Sequence, residues 1–342
     1  MKKLFATITS LLILLVSVFS LSACKSESGD VSIKYYADGA KIVQAMLGGE
    51  EEIGLVPEPA ATNLIKRANA LGKTLYRLDL QELYDKDAKS YPQAVLMVKE
   101  SVLNTYPNIV SALQTAITDS VSFAKTNTES AVNAIKSKLD ATSLNASALS
   151  ESAIDGCKIY FESASSAKTA VKTYVNELIE LSESSAKAIT DDFFYDGTAS
   201  GDNQKSTLSV YAPDGAPALA ISKLINDNSD LGTGKTLEYN IVATTLVPAQ
   251  LLPAYRGGNA DIIILPINLA SKFYNAIDNA NDPYKMVSVV THGNFYIVST
   301  EEITISDLKD KRVAVPQQNA VPDWTFRTVL KKHNLNGKNI EE

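Results

Sequence analysis

Ala40–Ala61 reads AKIVQAMLGGEEEIGLVPEPAA, and Ala249–Ala270 reads AQLLPAYRGGNADIIILPINLA. The two align without a gap: Ala45 with Ala254, Gly48 and Gly49 with Gly257 and Gly258, Ile53 with Ile262, Pro57 with Pro266, and Ala61 with Ala270. Each copy reads as a helix, a glycine stop, a strand and a second helix. The glycine pair ends the first helix in a conformation closed to residues with a Cβ. The short unbroken apolar run is the pattern of a strand buried on both faces. The proline then opens the next helix, where its fixed φ suits a first turn. Two such units in one chain imply two similar α/β lobes, and 342 residues suffice for two domains.

Outward from the repeat the same alternation continues. VSIKYY, EEIGLVP, KTLYRLDL and QAVLMVK read as strands in the first third of the chain; AKIVQAML and PEPAATNLIKRA read as helices. From Ser101 to about Ser185 the periodicity becomes helical, with amphipathic runs such as SAKTAVKTYVNELIEL. DGTASGDNQKS, residues 196–206, is small and polar and reads as a linker. Beyond it TLSVYAP, EYNIVATT, ADIIILP, YKMVSVVT, FYIVSTE and KRVAVP read as strands, separated by PALAISKLI, PAQLLPAY, NLASKFYNA and VPDWTFRTVLKKH as helices.

At the start of the chain, Lys2 and Lys3 precede a mostly apolar run, Leu4 to Phe19, that ends in LSAC at residues 21–24. A short positive segment, an apolar stretch and small residues at its end mark a secretory signal rather than a spanning helix. Residues 1–23 are therefore expected to be a leader and residues 24–30 a polar tether. Net charge is −7, with 32 basic against 39 acidic residues, and removing Lys2 and Lys3 makes the balance more acidic. Such a surface argues against nucleic acid, which demands a basic footprint. Beyond Cys24 only Cys157 remains, so no intramolecular disulfide is expected, and its apolar flanks suggest a packed thiol. Two distant histidines, His292 and His333, support neither a His-rich metal site nor a nucleophilic triad, so no catalytic residue, metal or cofactor is expected. GTGKT at 232–236 lacks the first glycine of a phosphate-binding loop, with Ser229 in its place.

Several stretches carry a family resemblance. VYAPDGAPALAISKLI, YRGGNADIIILPINLASKFYN, THGNFYIVSTEEITISDLKDKRVAVPQQNAVPD, IGLVPEPAATNLI and YPQAVLMVKESVLNTYPNIV resemble the nitrate/sulfonate/taurine/thiamine-precursor class of ABC-transporter substrate-binding proteins. The likeness covers nearly everything from Val31 to Glu342. It implies the type II periplasmic-binding fold: two α/β lobes with mixed sheets, flanked by helices, joined by two crossing strands, with the ligand in the hinge cleft. GNFYIVSTE and PQAVLMVKE look like those crossings. LSAC resembles the bacterial lipobox, in which Cys24 would be acylated; two or more acyl chains make a stable anchor. The implied function is an extracytoplasmic, lipid-anchored solute-binding receptor working with an ABC permease and its ATPase. An enzyme of the same fold related to pyrimidine-precursor synthesis, or a non-transporting sensor lipoprotein, would need features the sequence does not display.

The order of the segments is changed relative to that family. Residues 31–195 resemble its second half and 207–342 its first, which looks like a circular permutation. SGD at 28–30 recurs at 200–202, before NQKSTLSVY. The expected organisation is lobe B from 31–100 and 294–342, lobe A from 207–293 with the helices of 101–195, and a linker at 196–206.

Ligands of open α/β sheets bind outside the carboxyl ends of strands, where helix N-termini present free N–H groups. That rule selects Asp214, Gly215, Ala216 and Pro217; Asn268; Thr291, His292, Gly293 and Asn294; Gln318, Asn319 and Ala320; and Tyr36, Asp38 and Glu58. Asp38 and Glu58 are weaker candidates, because acidic residues at helix starts ordinarily serve the dipole. Trp324 reads as packing its helix on the sheet. None of these loops contains lysine or arginine, and a strongly anionic ligand usually recruits an arginine fork. The balance favours a neutral or weakly cationic heterocycle, such as a thiamine-precursor pyrimidine, over nitrate or a sulfonate.

Overall fold

The computed structural model describes residues 29–85, 90–276 and 282–340; the leader and Cys24 lie outside them. In chain order the strands are β1 (Gly29–Tyr36), β2 (Ile53–Pro57), β3 (Tyr76–Asp79), β4 (Pro92–Lys99), β5 (Ile159–Ser163) and β6 (Thr207–Pro213). They continue with β7 (Thr236–Val242), β8 (Ile262–Pro266), β9 (Tyr284–His292), β10 (Phe295–Ser299), β11 (Arg312–Pro316) and β12 (Leu335–Asn339). They form two six-stranded sheets, β12-β1-β11-β2-β10-β3 and β5-β9-β4-β8-β6-β7. In the first, β12, β1, β11 and β2 are parallel, and β10 runs antiparallel to β2 and β3. In the second, β8, β6 and β7 are parallel, while β4 runs antiparallel between β8 and β9. The fold is thus α/β, with two mixed six-stranded sheets flanked by helices.

The chain passes between the sheets twice, from β3 to β4 and from β9 to β10. Only Gly293 and Asn294 separate β9 from β10, so the carboxyl ends of β8 and β9 meet those of β2 and β11 across that short connection. The two halves of the sequence repeat occupy equivalent places: β2 lies between a parallel strand and an antiparallel crossing strand, and so does β8.

Side-chain alternation builds the core. Val95, Met97, Ile263 and Leu265 point into an apolar layer that also holds Val31, Ile33, Leu55, Tyr174 and Leu178, so it runs continuously between both sheets. Leu96, Val98, Ile262 and Ile264 point the other way, against Ile117, Ile135 and Leu219. Ile42, Met46, Val56, Leu64 and Val298 cover the far face of the first sheet. Each fully buried side chain of this size contributes about 1.5–3 kcal/mol before entropy is set against it.

Several expectations need correction. Only the second glycine of each pair is left-handed: Gly49 at φ 81 and Gly258 at φ 65, whereas Gly48 ends the helix and Gly257 has φ −74. The helical stretch from Ser101 is interrupted by β5, because the helix over Glu151–Gly156 stops and Ile159, Glu162 and Ser163 pair with the open edge of β9. KTLYRLDL is a strand only over Tyr76–Asp79; Asp79 then accepts from the amides of Gln81 and Glu82 and starts a helix at Leu80. PALAISKLI forms two short helices, Ala216–Leu219 and Ser222–Asp227. The boundary at residue 100 moves back, since β4 sits in the second sheet and the crossing falls between Tyr84 and Pro92. Residues 196–206 have no regular structure, yet they are tied down. Asn203 N–H donates to Thr105 Oγ1 at 2.8 Å, Asn104 donates to Gly201 O at 2.8 Å, and Lys205 reaches Asp261 at 2.7 Å. The strand over Leu335–Asn339 was not expected; it adds to the edge of β1 in parallel, with Ile340 N–H donating to Ile33 O at 3.0 Å.

No helix among the described residues is long and apolar enough to cross a membrane.

Candidate functional site

The selected residues lie at or follow the carboxyl ends of strands in both sheets or lie in the β9–β10 crossing. β6 ends at Pro213, followed by Asp214–Pro217; β8 ends at Pro266, followed by Asn268; β9 ends at His292. From the other sheet come Tyr36–Asp38 after β1, Glu58 after β2, and Gln318–Ala320 after β11. Glu58 N–H donates to Asn294 O at 2.9 Å, and Phe295 pairs with Pro57, so the β9–β10 connection is fastened to the end of β2.

The acidic candidates have partners of their own. Asp214 is buried and accepts from Thr142 Oγ1 at 2.5 Å and from Ser143 N and Oγ at 2.6 and 2.7 Å. It therefore anchors the 142–144 loop. Glu58 is buried and accepts from Thr62 N at 3.0 Å, Thr62 Oγ1 at 2.7 Å and Arg77 at 3.2 Å. Burial raises its pKa, and the Thr62 and Arg77 contacts oppose the shift. Asp38 is the N-cap of the helix over Gly39–Gly48, accepting from Lys41 N at 2.9 Å. Tyr36 turns its hydroxyl to Glu51 at 2.8 Å. These are packing and capping roles: Asp214 and Glu58 are buried charges that cost free energy without partners, whereas Asp38 is a half-buried helix cap.

His292 sits at the end of β9 with 3 % exposure, its Nε2 3.0 Å from Glu162 Oε2 and its Nδ1 3.3 Å from Lys158 O. Tyr160 stacks on its ring at 3.6 Å between centroids and 7° between planes. Burial lowers the imidazole pKa below its ordinary value, against the pull of Glu162. The unfolded chain takes up this proton more readily than the folded one, so stability falls as pH drops below about 6.5 toward the folded-state pKa. His292→Asn is expected to remove that part of the slope, checked by urea denaturation of both proteins at pH 7.5 and 5.5. An unchanged slope would show that His292 is not the group responsible.

The backbone candidates are shaped for close approach. Gly215 has φ 92 at the N-terminus of the short helix that contains Ala216 and Pro217. Gln317 and Asn319 hold φ 56 and 61, uncommon for residues with a Cβ. Gln318 and Asn319 are exposed; Asn319 N–H donates to Asp323 at 2.9 Å, and Ala320 N–H donates to Gln317 O at 3.1 Å. Thr291 is buried at the level of Ala94 and Ile159 on the flanking strands. Gly293 packs on Tyr91 and donates to its carbonyl at 2.9 Å.

What remains without a partner is the most informative part. Both side-chain polar atoms of Asn268, Asn294 Oδ1, Gln93 Oε1 and Trp324 Nε1 are buried and find no hydrogen-bond partner. Asn268, Asn294 and Trp324 are 1 %, 2 % and 7 % exposed. Ala94 pairs with Pro266 and Pro92 with His292, so Gln93 sits on β4 between those two registers. Trp324 lies in the first turn of the helix over Val321–Lys332, immediately after the Gln318–Ala320 loop. Gln93 and Trp324 were not selected from the sequence. Gln93 reads there as one polar residue at the start of an apolar strand, and Trp324 as a packing residue. The described residues include no cluster of His, Cys, Asp and Glu able to hold a metal ion. Cys157 is buried, and burial pushes its thiol pKa well up, as a packed cysteine requires.

No family model and no curated protein matches the chain. Among solved structures it is similar to the NikA of Staphylococcus aureus in complex with Ni(L-His)2, at 9% identity and TM-score 0.35, covering 81% of this chain and 59% of that one. The NikA of Brucella suis in complex with Fe(III)-EDTA gives 10% identity and TM-score 0.31, covering 78% and 57%. The oligopeptide-binding protein AppA of Bacillus subtilis, bound to a nonapeptide, gives 11% identity and TM-score 0.31, covering 78% and 55%. The chain spans little more than half the length of these proteins, and likenesses this distant carry no functional conclusion.

Proposed function

We propose that this chain is the extracytoplasmic solute-binding receptor of an ABC importer, taking a small organic molecule between two lobes and delivering it to a permease and its ATPase. The observation that carries the reading is the group of buried polar side chains without partners at the point where the two sheets meet. Buried polar groups are nearly always satisfied, and each exception in a native fold asks for a partner, whether an ordered water, an ion or a ligand. Lobe A comprises the sheet of β4–β9, and lobe B the sheet of β1–β3 and β10–β12. In this reading the lipid on Cys24 holds the protein at the outer face of the cell membrane. Metabolic labelling with a palmitate analogue should mark the protein and spare Cys24→Ala.

The segment order fits a circular permutation of the family resembled by the sequence. β12 and β1, from opposite ends of the chain, are neighbours in one sheet, with Leu335 opposite Gly29. Permutation is tolerated where the old ends lie close together. The tether expected over 24–30 is shorter than that, since Gly29 and Asp30 already belong to β1, and what precedes them then holds lobe B near the membrane.

Trp324 is the sole tryptophan, so its emission reports on the site directly. Titration of small-molecule pools is expected to shift that emission saturably and to raise the melting temperature with the same solute. A chain relinked from Glu342 to Val31 and opened within 196–206 should bind that solute equally well. Absence of any saturable solute from both readouts would count against the receptor function. Loss of folding on relinking would count against the permutation alone.

A further inference from the structure

We infer that the open edge of β7 binds an extended acidic peptide, which joins the second sheet as a further strand. None of the residues selected for a solute lines this site, and it stands whether or not the receptor reading does. A sheet edge presents unpaired N–H and C=O groups, and proteins blunt such edges by shortness, irregularity or charge. Three of the four edges here are blunted. β3 has four residues, β5 meets β9 with a register shift between Ile159 and Glu162, and β12 carries Gly337 and Lys338. β7 differs. It pairs with β6 from Thr236 to Val242 without a shift, and TLEYNIV contains no proline, glycine or lysine.

The phase of the open groups follows from one hydrogen bond. Asp214 N–H donates to Val242 O at 2.8 Å, so Val242 turns its backbone toward β6. Successive residues of a strand turn their backbone groups to opposite sides, so Leu237, Tyr239 and Ile241 direct theirs to the open edge. Tyr239, Ile241 and Val242 line a cavity of about 630 Å³. It is also lined by Gln250, from the helix over Val247–Arg256, and by Lys138, just past the helix over Thr128–Lys136. An extended peptide matches such an edge because its own backbone supplies the complementary ladder, while pockets beside the edge choose its side chains. Lys138 makes that choice. It is the one charged residue lining the cavity, it is exposed, and it pairs with no described carboxylate. Glu238, the only charge on β7, does not line the cavity. An acidic residue in the bound strand therefore meets Lys138 without an opposing charge in the lining.

The test titrates the purified protein, by fluorescence anisotropy, with end-capped, fluorescein-labelled peptides of alternating threonine and valine, carrying aspartate or lysine at the centre. The aspartate peptide is expected to bind saturably and about tenfold tighter than the lysine peptide. Methylating the backbone nitrogens of alternate residues gives two further probes, one for each phase. A peptide that joins an edge bonds to it through every second residue, so one phase should lose binding and the other keep it. Lys138→Gln leaves the fold intact, its side chain being exposed, and should bring the aspartate and lysine peptides to within about threefold of each other. Absence of saturable binding by the aspartate peptide would overturn the inference. So would equal affinity for both peptides in the parent protein, or equal behaviour of the two methylated phases. Sedimentation velocity showing a dimer that Asn240→Lys dissolves would assign the edge to a second copy of this chain and overturn it as well.

Discussion

Replacing Asp261 by alanine is expected to cost about 3–5 kcal/mol of folding stability, the range for breaking a buried ion pair from one side. Asp261 is fully buried at the start of β8, and the ammonium of Lys99 lies 3.5 Å from its carboxylate with only 6 % of that side chain exposed. The same carboxylate accepts from Ser209 N at 2.9 Å and from Lys205 at 2.7 Å. Lys99 also donates to Gly258 O at 2.6 Å, so the network joins β4, β6, β8 and the glycine turn of the repeat. Burial already lowers the Lys99 pKa, and removing Asp261 takes away its principal counter-charge. Lys205→Ala is the control. Its side chain is 42 % exposed, and loss of a pair open to solvent is expected to cost about 1 kcal/mol or less. Chemical denaturation of the three proteins measures both values; equal effects of the two substitutions would refute the buried-charge account.

Gly293→Ala is the second substitution with a large expected effect, about 2–3 kcal/mol, from overpacking at the crossing between the sheets. A Cβ at this position would lie 2.5 Å from Tyr91 Cζ and 2.8 Å from Gln81 Cγ. Neither neighbour is free to move. Tyr91 is fully buried, stacks on Tyr174 at 5.5 Å and donates to Gln81 Oε1 at 2.9 Å; the same oxygen accepts from Phe295 N at 3.1 Å. Because Asn294 follows directly, solute affinity is expected to fall together with stability. Tyr91→Leu in the same chain should recover part of the loss, and a double-mutant cycle measures the coupling. Strict additivity of the two substitutions would show that the strain lies elsewhere.

The repeat at Ala40 and Ala249 carried most of what could be read about the architecture. Its apolar runs became β2 and β8 in equivalent places because a strand flanked on both faces must be apolar throughout, whatever surrounds it. β5 was missed since IYFES is short and lies within a long helical pattern, and only the open edge of β9 makes it a strand. The same limit applied at the site. Asp38 was legible as a helix cap from its position alone, while the partner of Asp214 lies 72 residues away at Thr142.

By itself, then, the sequence determined the α/β class, the paired lobes and the loops at the strand ends, because hydrophobic period and turn chemistry are local properties. Which of those loop residues already have partners was decided by the tertiary structure. Asp214 is engaged by Thr142 and Ser143 and Asp323 by Tyr35, far away in the chain, and Glu58 by Arg77, whereas the Asn268 side-chain amide, Asn294 Oδ1 and Trp324 Nε1 are buried without a hydrogen-bond partner. Satisfaction of a buried polar group depends on what folding brings within about 3 Å of it, and that distance is not a property of any stretch of sequence.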